Sequence, residues 1–273
     1  MGAYSQVSAL ASSAPPPLAE MANLSVRWGR SRPVLDEVSL QVAPGERLVV
    51  VGPSGAGKST ILRLLAGLLL PNSGKLSLYG ILQNYLRLDQ RTPPDVRLVF
   101  QNPALLGSLT VRENVGFLLY RHGRLGEKVI RERVSAALNA VGLYGVEEQL
   151  PGELSGGMQK RVSFARALIN DPGKQDEQMP LLLFDEPTAG LDPMACTRIE
   201  DLIVRTTHVA QATSVIVSHV HSTIERSAQR VVLLYDGKFR WSGTVDAYRS
   251  SSDPYVVQFR SGSLRGPMQP AEL

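Results

Sequence analysis

The chain has 273 residues, enough for one or two domains with a real core, and its apolar and charged shares, 43% and 20%, are those of an ordinary globular protein. The formal charge of 29 − 25 = +4 is too small to argue for nucleic acid, and a single cysteine, Cys196, excludes an intramolecular disulfide and argues against a cysteine-built metal site. No apolar run reaches the roughly 18 residues that a membrane-spanning helix needs; the best, 61–70, is interrupted by Arg63.

Residues 1–22 are rich in Ser, Ala and Pro with one charge, Glu20, and read as a disordered tail. They lack the basic start and apolar stretch of a secretory signal and the Arg of a plastid transit peptide. From Asn23 onward order is expected. Residues 24–28 and 38–42 alternate with period two, which predicts two half-buried strands around the turn-rich stretch 29–33. Residues 48–51 are a continuous apolar run that enters a glycine-rich loop. A helical pattern with Ile61, Leu62, Leu65 and Leu68 on one side follows and is stopped at 71–74. Strand, glycine loop and helix open a parallel α/β unit.

That loop, Gly52-Pro53-Ser54-Gly55-Ala56-Gly57-Lys58-Ser59, fits G-x-x-x-x-G-K-[ST] at every fixed position. Its glycines let backbone N–H groups turn inward onto phosphate oxygens, and the helix starting at Lys58 adds a positive N-terminal end. Lys58 is placed to reach the β- and γ-phosphates of ATP. Ser59 is placed to bind Mg²⁺, and Thr60 completes the ATP-binding stretch.

Residues 76–79 and 96–100 read as further strands, with the polar stretch 81–95 unassigned. Residues 101–165 turn helical, with Ile130, Val134, Leu138 and Val141 at helical spacing. Ser155 is a good N-cap, and Gly156 and Gly157 permit close approach at a second anion-binding helix terminus. Residues 171–180 form a polar insertion. At 181–186, four apolar residues run into Asp185 and Glu186. In an α/β sheet such acids sit at the carboxyl end of a strand, where Asp185 reaches Mg²⁺ and Glu186 can orient or deprotonate water. Residues 215–217 predict another buried strand, and 231–235 with 238–241 flank Asp236-Gly237 as a hairpin.

The segment Leu154-Ser155-Gly156-Gly157-Met158-Gln159-Lys160-Arg161 resembles the signature sequence of ABC ATPases. The resemblance covers roughly residues 23–245. It implies an α/β P-loop NTPase of the ABC ATPase fold, with a mostly parallel core sheet, an N-terminal antiparallel β subdomain and an inserted helical subdomain. The expected boundaries are a tail at 1–22, the ATPase domain at 23–248 with its helical subdomain at about 101–165, and a C-terminal extension at 249–273. It also implies a head-to-tail homodimer that hydrolyses ATP, in which Ser155, Gly156 and Gly157 serve the nucleotide held by the other protomer. Other family elements follow in order. Gln101 resembles the Q-loop glutamine that contacts Mg²⁺ or water and senses the permease. Ala189-Gly190-Leu191-Asp192 resembles the D-loop, with Ala189 where Ser is commoner. His219 resembles the H-loop histidine near the γ-phosphate, and Trp28 stands where an aromatic stacks on adenine. Apart from that order, Gln101 reads as a surface residue, Trp28 as packing and His219 as a buried histidine. His221 and Cys196 read as structural.

Two stretches resemble the Mla/Mce-type lipid-transport ATPases, plastid members included: residues 109–120 after Gln101, and residues 253–267. The resemblance implies a lipid cargo, an integral-membrane permease and an Mce-domain lipid-binding partner. It also implies a tail that packs on the neighbouring protomer through Tyr255 and Phe259. The expected location is peripheral, on the cytoplasmic face of the inner (plasma) membrane, ahead of the stromal side of a plastid envelope. The rivals are an ABC ATPase for another small cargo, a soluble ABC protein acting on nucleic acid or ribosomes, and an ATP-binding regulator without turnover. One ATPase unit without sustained heptads speaks against the second, and Glu186 with His219 against the third.

Overall fold

Apolar residues on both faces of a strand demand cover on both sides, and five strands of this chain have that character. The computed structural model describes residues 15–29, 32–170 and 179–269. In chain order the elements are β1 (Ala19–Val26), β2 (Leu35–Val42), β3 (Arg47–Val51), α1 (Lys58–Leu65), β4 (Ser73–Leu78), β5 (Ile81–Leu82) and β6 (Val96–Val99). A run of helices follows: α2 (Val111–Val115), α3 (Phe117–His122), α4 (Glu127–Ala140) and α5 (Gly156–Leu168). The chain then returns to the sheet with β7 (Leu181–Asp185), α6 (Pro193–Val209), β8 (Thr213–Val217), α7 (His221–Ser227), β9 (Arg230–Tyr235) and β10 (Lys238–Thr244), and ends in α8 (Val245–Ser250) and α9 (Pro254–Ser261).

The central sheet has the order β10-β9-β3-β8-β7-β6. All its pairs are parallel except the β9–β10 hairpin. A separate antiparallel sheet, β2-β1-β4-β5, covers one side. Successive residues of one strand enter different cores, as the pleat requires. Val49, Val51, Leu182 and Phe184 pack with the helical segment, α6 and α7. Leu48, Val50, Leu181 and Leu183 pack with α1 and the antiparallel sheet. The helices expected within 101–165 lie between β6 and β7, and Ile130, Val134, Leu138 and Val141 are all buried.

One expectation needs correction. Regular structure begins at Ala19, before the expected Asn23. Ala19 and Met21 are buried and pair with β2 and β4. A register shift follows Met21, with Asn23 at φ +47°, and this bulge breaks the alternation that would have revealed the first half of the strand. Residues 1–14, and 171–178 of the polar insertion, lie outside the described residues.

Within the expected C-terminal extension, residues 249–269 pack on their own chain: Val256 and Met268 are buried in the main core, with Tyr255 and Phe259 packed against it. Tyr255 meets Tyr235 at 5.9 Å between ring centroids. Gln258 locks the last turn, its Nε2 donating to Met268 O at 2.7 Å and its Oε1 accepting from Met268 N at 2.7 Å. Gly266 at φ +152° allows this closeness, since a Cβ there would stand 2.3 Å from Gln258 Oε1. Tyr255 and Phe259 are thus partly buried against the core of their own chain.

Candidate functional site

Four parallel strands end on one edge of the sheet, and each delivers one part of the site. β3 runs into the phosphate loop, β7 ends at Asp185, β8 leads to His219, and β6 leads to Gln101. Gly52 and Gly57 take φ of +153° and +100°. A Cβ on Gly52 would lie 2.1 Å from Leu234 O, and one on Gly57 would lie 2.9 Å from Val34 O, so both positions require glycine on space as well as on angle. Among the described residues, the N–H groups of Gly55, Gly57, Lys58 and Ser59 carry no protein acceptor. That leaves a cluster of donors at a helix N-terminus, the arrangement that binds phosphate.

Lys58 is buried and donates to Gly52 O at 2.9 Å and Pro53 O at 3.1 Å. Its Nζ stands 3.7 Å from Glu186 Oε1. Burial lowers the Lys58 pKa from its ordinary value, against the opposing pull of Glu186 and Asp185. Ser59 Oγ donates to Asp185 Oδ1 at 3.0 Å, bridging over β8, which lies between β3 and β7. Burial is also the main cause that raises the Asp185 pKa, helped by Glu186 and opposed by Ser59, Arg63 and Lys58.

Glu186 sits on a left-handed backbone, φ +44°, which is uncommon outside glycine and clusters at functional sites. Its N–H donates to Val217 O at 3.0 Å. His219 Nδ1 lies 2.9 Å from Glu186 Oε1, and the His219 backbone N–H donates to Oε2 at 3.3 Å. Glu186 is thus held between a lysine and a histidine, almost out of water, with His219 still half exposed.

The remaining sequence candidates divide by what they touch. Gln101 is exposed, and no hydrogen bond among the described residues joins it to Lys58, Ser59 or Asp185. The loop beyond it is stapled by the buried Asn114, whose Oδ1 accepts from Leu106 N at 2.8 Å and whose Nδ2 donates to Leu106 O, Leu109 O and Thr110 O, each at 3.0 Å. Trp28 is 49% exposed just beyond β1. Val34 N bonds to Val26 O and the Val34 carbonyl borders Gly57, so Trp28 emerges beside the phosphate loop. Ser155 caps α5, accepting from Met158 N at 3.3 Å, and Ser155, Gly156 and Gly157 face solvent. Asp192 caps α6 through Met194 N and Ala195 N, both at 3.0 Å.

Cys196 is buried, with Sγ 3.5 Å from Thr188 O, the packed thiol expected. His221 meets the buried Tyr248 ring edge-on at 5.9 Å, a structural contact. Sequence reasoning missed Lys160, one turn into α5. Its ammonium donates to Pro187 O at 3.3 Å and Ala189 O at 3.0 Å, tying the signature helix to the segment after Glu186. Nothing in its motif distinguishes this role from that of a surface lysine.

The donor set suits Mg²⁺. Ser59 and Asp185 offer two hard oxygens beside a phosphate cradle, and Mg²⁺ takes one or two protein oxygens with phosphates and water. A buried carboxylate with a raised pKa gains from a cation. Among the described residues no three His, Cys, Asp or Glu side chains form a self-sufficient metal site.

Comparison with known proteins agrees with this geometry. The family model described as ABC transporter matches residues 35–189. The chain is 47% identical over 247 residues to the protein TRIGALACTOSYLDIACYLGLYCEROL 3, chloroplastic, of Arabidopsis thaliana, covering 86% of this chain and 71% of that protein. It is 37% identical to the intermembrane phospholipid transport system ATP-binding protein MlaF of Haemophilus influenzae, covering 92% and 93%. Among solved structures, the dimeric post-hydrolysis state of the ATP-binding cassette MJ0796 bound to ADP and Pi superposes with a TM-score of 0.71 at 28% identity, covering 83% of this chain and 98% of that one.

Proposed function

The chain belongs to the ABC transporter family as an ATP-binding, ATP-hydrolysing subunit that works as a dimer with a membrane permease, and we propose that its cargo is a phospholipid or related lipid. The observation that carries the cargo is the likeness to a phospholipid-transport ATP-binding protein along almost the whole of both chains. An Mce-domain lipid-binding protein is the proposed partner beyond the permease. No helix among the described residues is long and apolar enough to cross a membrane. The proposed seat is therefore peripheral, on the cytoplasmic face of an inner membrane or the stromal face of a plastid envelope.

Each residue has a role in this reading. The indole of Trp28 stacks on adenine. The N–H groups of Gly55, Gly57, Lys58 and Ser59 and the Lys58 ammonium hold the phosphates, and Thr60 supports the loop. Ser59, Asp185 and Gln101 would hold Mg²⁺, which when bound neutralises phosphate charge. Glu186 takes the proton of the attacking water, and His219 holds Glu186 in place and donates to the γ-phosphate. Ser155, Gly156 and Gly157 of one protomer close on the nucleotide of its partner, and Asp192 lies at that junction. Because Lys160 ties α5 to 187–189, movement of the signature helix is passed to the segment that begins at Glu186.

The test is purification of Glu186→Gln from native membranes with ATP, followed by mass spectrometry of associated protein and lipid. Recovery of an Mce-domain protein with enriched phospholipid supports the cargo. Recovery of a permease with a soluble receptor for an amino acid or sugar overturns it and leaves the ATPase standing.

A further inference from the structure

Glu200 on α6 is fully buried and belongs to no motif. Its Oε1 accepts from Ser222 Oγ at 2.6 Å and Thr223 Oγ1 at 3.0 Å. Arg226 Nε lies 3.4 Å from Oε2, close enough for charge attraction, although Oε2 makes no hydrogen bond. Thr223 Oγ1 is also 2.8 Å from Thr188 Oγ1. A carboxylate only accepts, so Thr223 gives its single proton to Glu200, and Thr188 must donate to Thr223. The chain therefore has a fixed direction, Thr188 to Thr223 to Glu200.

The ends of this chain matter. Thr188 stands two residues beyond Glu186 and Thr223 four residues beyond His219. At their mouths these two segments meet through the Glu186–His219 contacts at 2.9 and 3.3 Å. At their roots they meet through the Thr188–Thr223 hydrogen bond at 2.8 Å, whose direction Glu200 sets. Glu186 holds a left-handed φ of +44°, a conformation that persists only where the surroundings over-determine it. Burying a carboxylate costs several kcal/mol unless it is well bonded, and an apolar side chain would fill the same space without that cost.

We propose that Glu200 is a positioning residue for ATP hydrolysis, setting through Thr223 and Thr188 the separation of the two segments that carry Glu186 and His219. The proposal rests on the reading of Glu186 and His219 as the hydrolytic pair. An offset of about 1 Å between reacting groups can cost about 100-fold, so the brace acts on turnover and leaves nucleotide affinity unchanged.

The experiment uses the full chain as its dimer. Glu200→Met keeps the volume and removes the acceptor. Its expected kcat loss is roughly 10- to 100-fold, with ATP binding, measured without divalent cation, unchanged. Glu200→Gln retains an acceptor oxygen for Thr223 and is expected to restore turnover to within about threefold. In a His219→Ala background, Glu200→Met is expected to add less than about twofold, because both act through one contact. Thr188→Val breaks the chain without touching the charge, and is expected to show the same loss confined to kcat should Glu200→Met not fold. Full turnover in Glu200→Met or Thr188→Val, equal losses of affinity and kcat, or additivity with His219→Ala would each overturn the proposal. Glu186→Gln assayed alongside separates the two readings. Turnover surviving there overturns the hydrolytic pair and the brace together. A dead Glu186→Gln beside a full-speed Glu200→Met overturns the brace alone.

Discussion

Replacing Glu186 by Gln removes one charge and almost no volume, and the structure assigns separate consequences to binding, turnover and stability. With an effective dielectric of about 20, unit charges 3.7 Å apart attract by about 4 kcal/mol before desolvation is counted. Removing one partner of a buried pair costs about 3–5 kcal/mol. Lys58 keeps its bonds to Gly52 O and Pro53 O, so the lower end, about 3 kcal/mol, applies. For a chain of this size, about 2–4 °C per kcal/mol puts the nucleotide-free Tm about 6–12 °C below wild type. ATP should reverse this, because phosphate replaces the lost carboxylate beside the ammonium, and affinity should equal or exceed that of wild type. Turnover should fall by about 10²–10⁴, the usual contribution of a general base. Scanning calorimetry with and without ATP, together with a steady-state phosphate-release assay, reads all three. A kcat within about threefold of wild type would refute the role of Glu186 as base. An unchanged nucleotide-free Tm would refute the Lys58–Glu186 pair.

Three further outcomes are expected. The folded state holds the Asp185 proton more tightly than the unfolded chain does, so this group's contribution to stability declines as pH rises through the raised pKa. Asp185→Asn should therefore keep or raise the nucleotide-free Tm at neutral pH, with the advantage closing towards acid, while abolishing Mg²⁺-dependent hydrolysis; a Tm well below wild type would refute the desolvation account. Gly52→Ala places a Cβ 2.1 Å from Leu234 O and should cost more than about 4 kcal/mol along with ATP binding; wild-type melting would refute it. Gln258→Ala leaves the buried N–H and C=O of Met268 unpaired and should cost about 2–4 kcal/mol in thermal unfolding, with turnover per folded molecule retained; a stable variant would show that the tail is held by Val256 and Tyr255 instead.

What was legible in the sequence was what short-range chemistry dictates. The loop at 52–59, the acids at 185–186 and the strands at 48–51, 181–184 and 215–217 were readable because each needs a particular residue at a particular step. Pairing was not. The Asn23 bulge hid half of β1, and the short β5 pairs only Ser77 with Leu82 and Leu78 with Ile81, too little to leave a period. The expectation that residues 253–267 reach another protomer came from the family resemblance alone; the closure of Gln258 on Met268 within the chain left no mark in the sequence. Lys160 and Glu200 escaped for the same reason. A charged residue on a helix reads as solvated until the fold shows what stands opposite it.

The exposed start of α5 has a genetic corollary. Each chain carries a phosphate loop and a signature helix, and on the composite-site reading these serve different nucleotides. Consider one allele with Ser155→Arg and another with Glu186→Gln, each inactive as a pure dimer. When both are expressed together, a mixed dimer gathers the two lesions into one pocket and leaves the other pocket wholly wild type. Two null alleles would then complement in trans, whereas a single allele carrying both lesions would rescue neither.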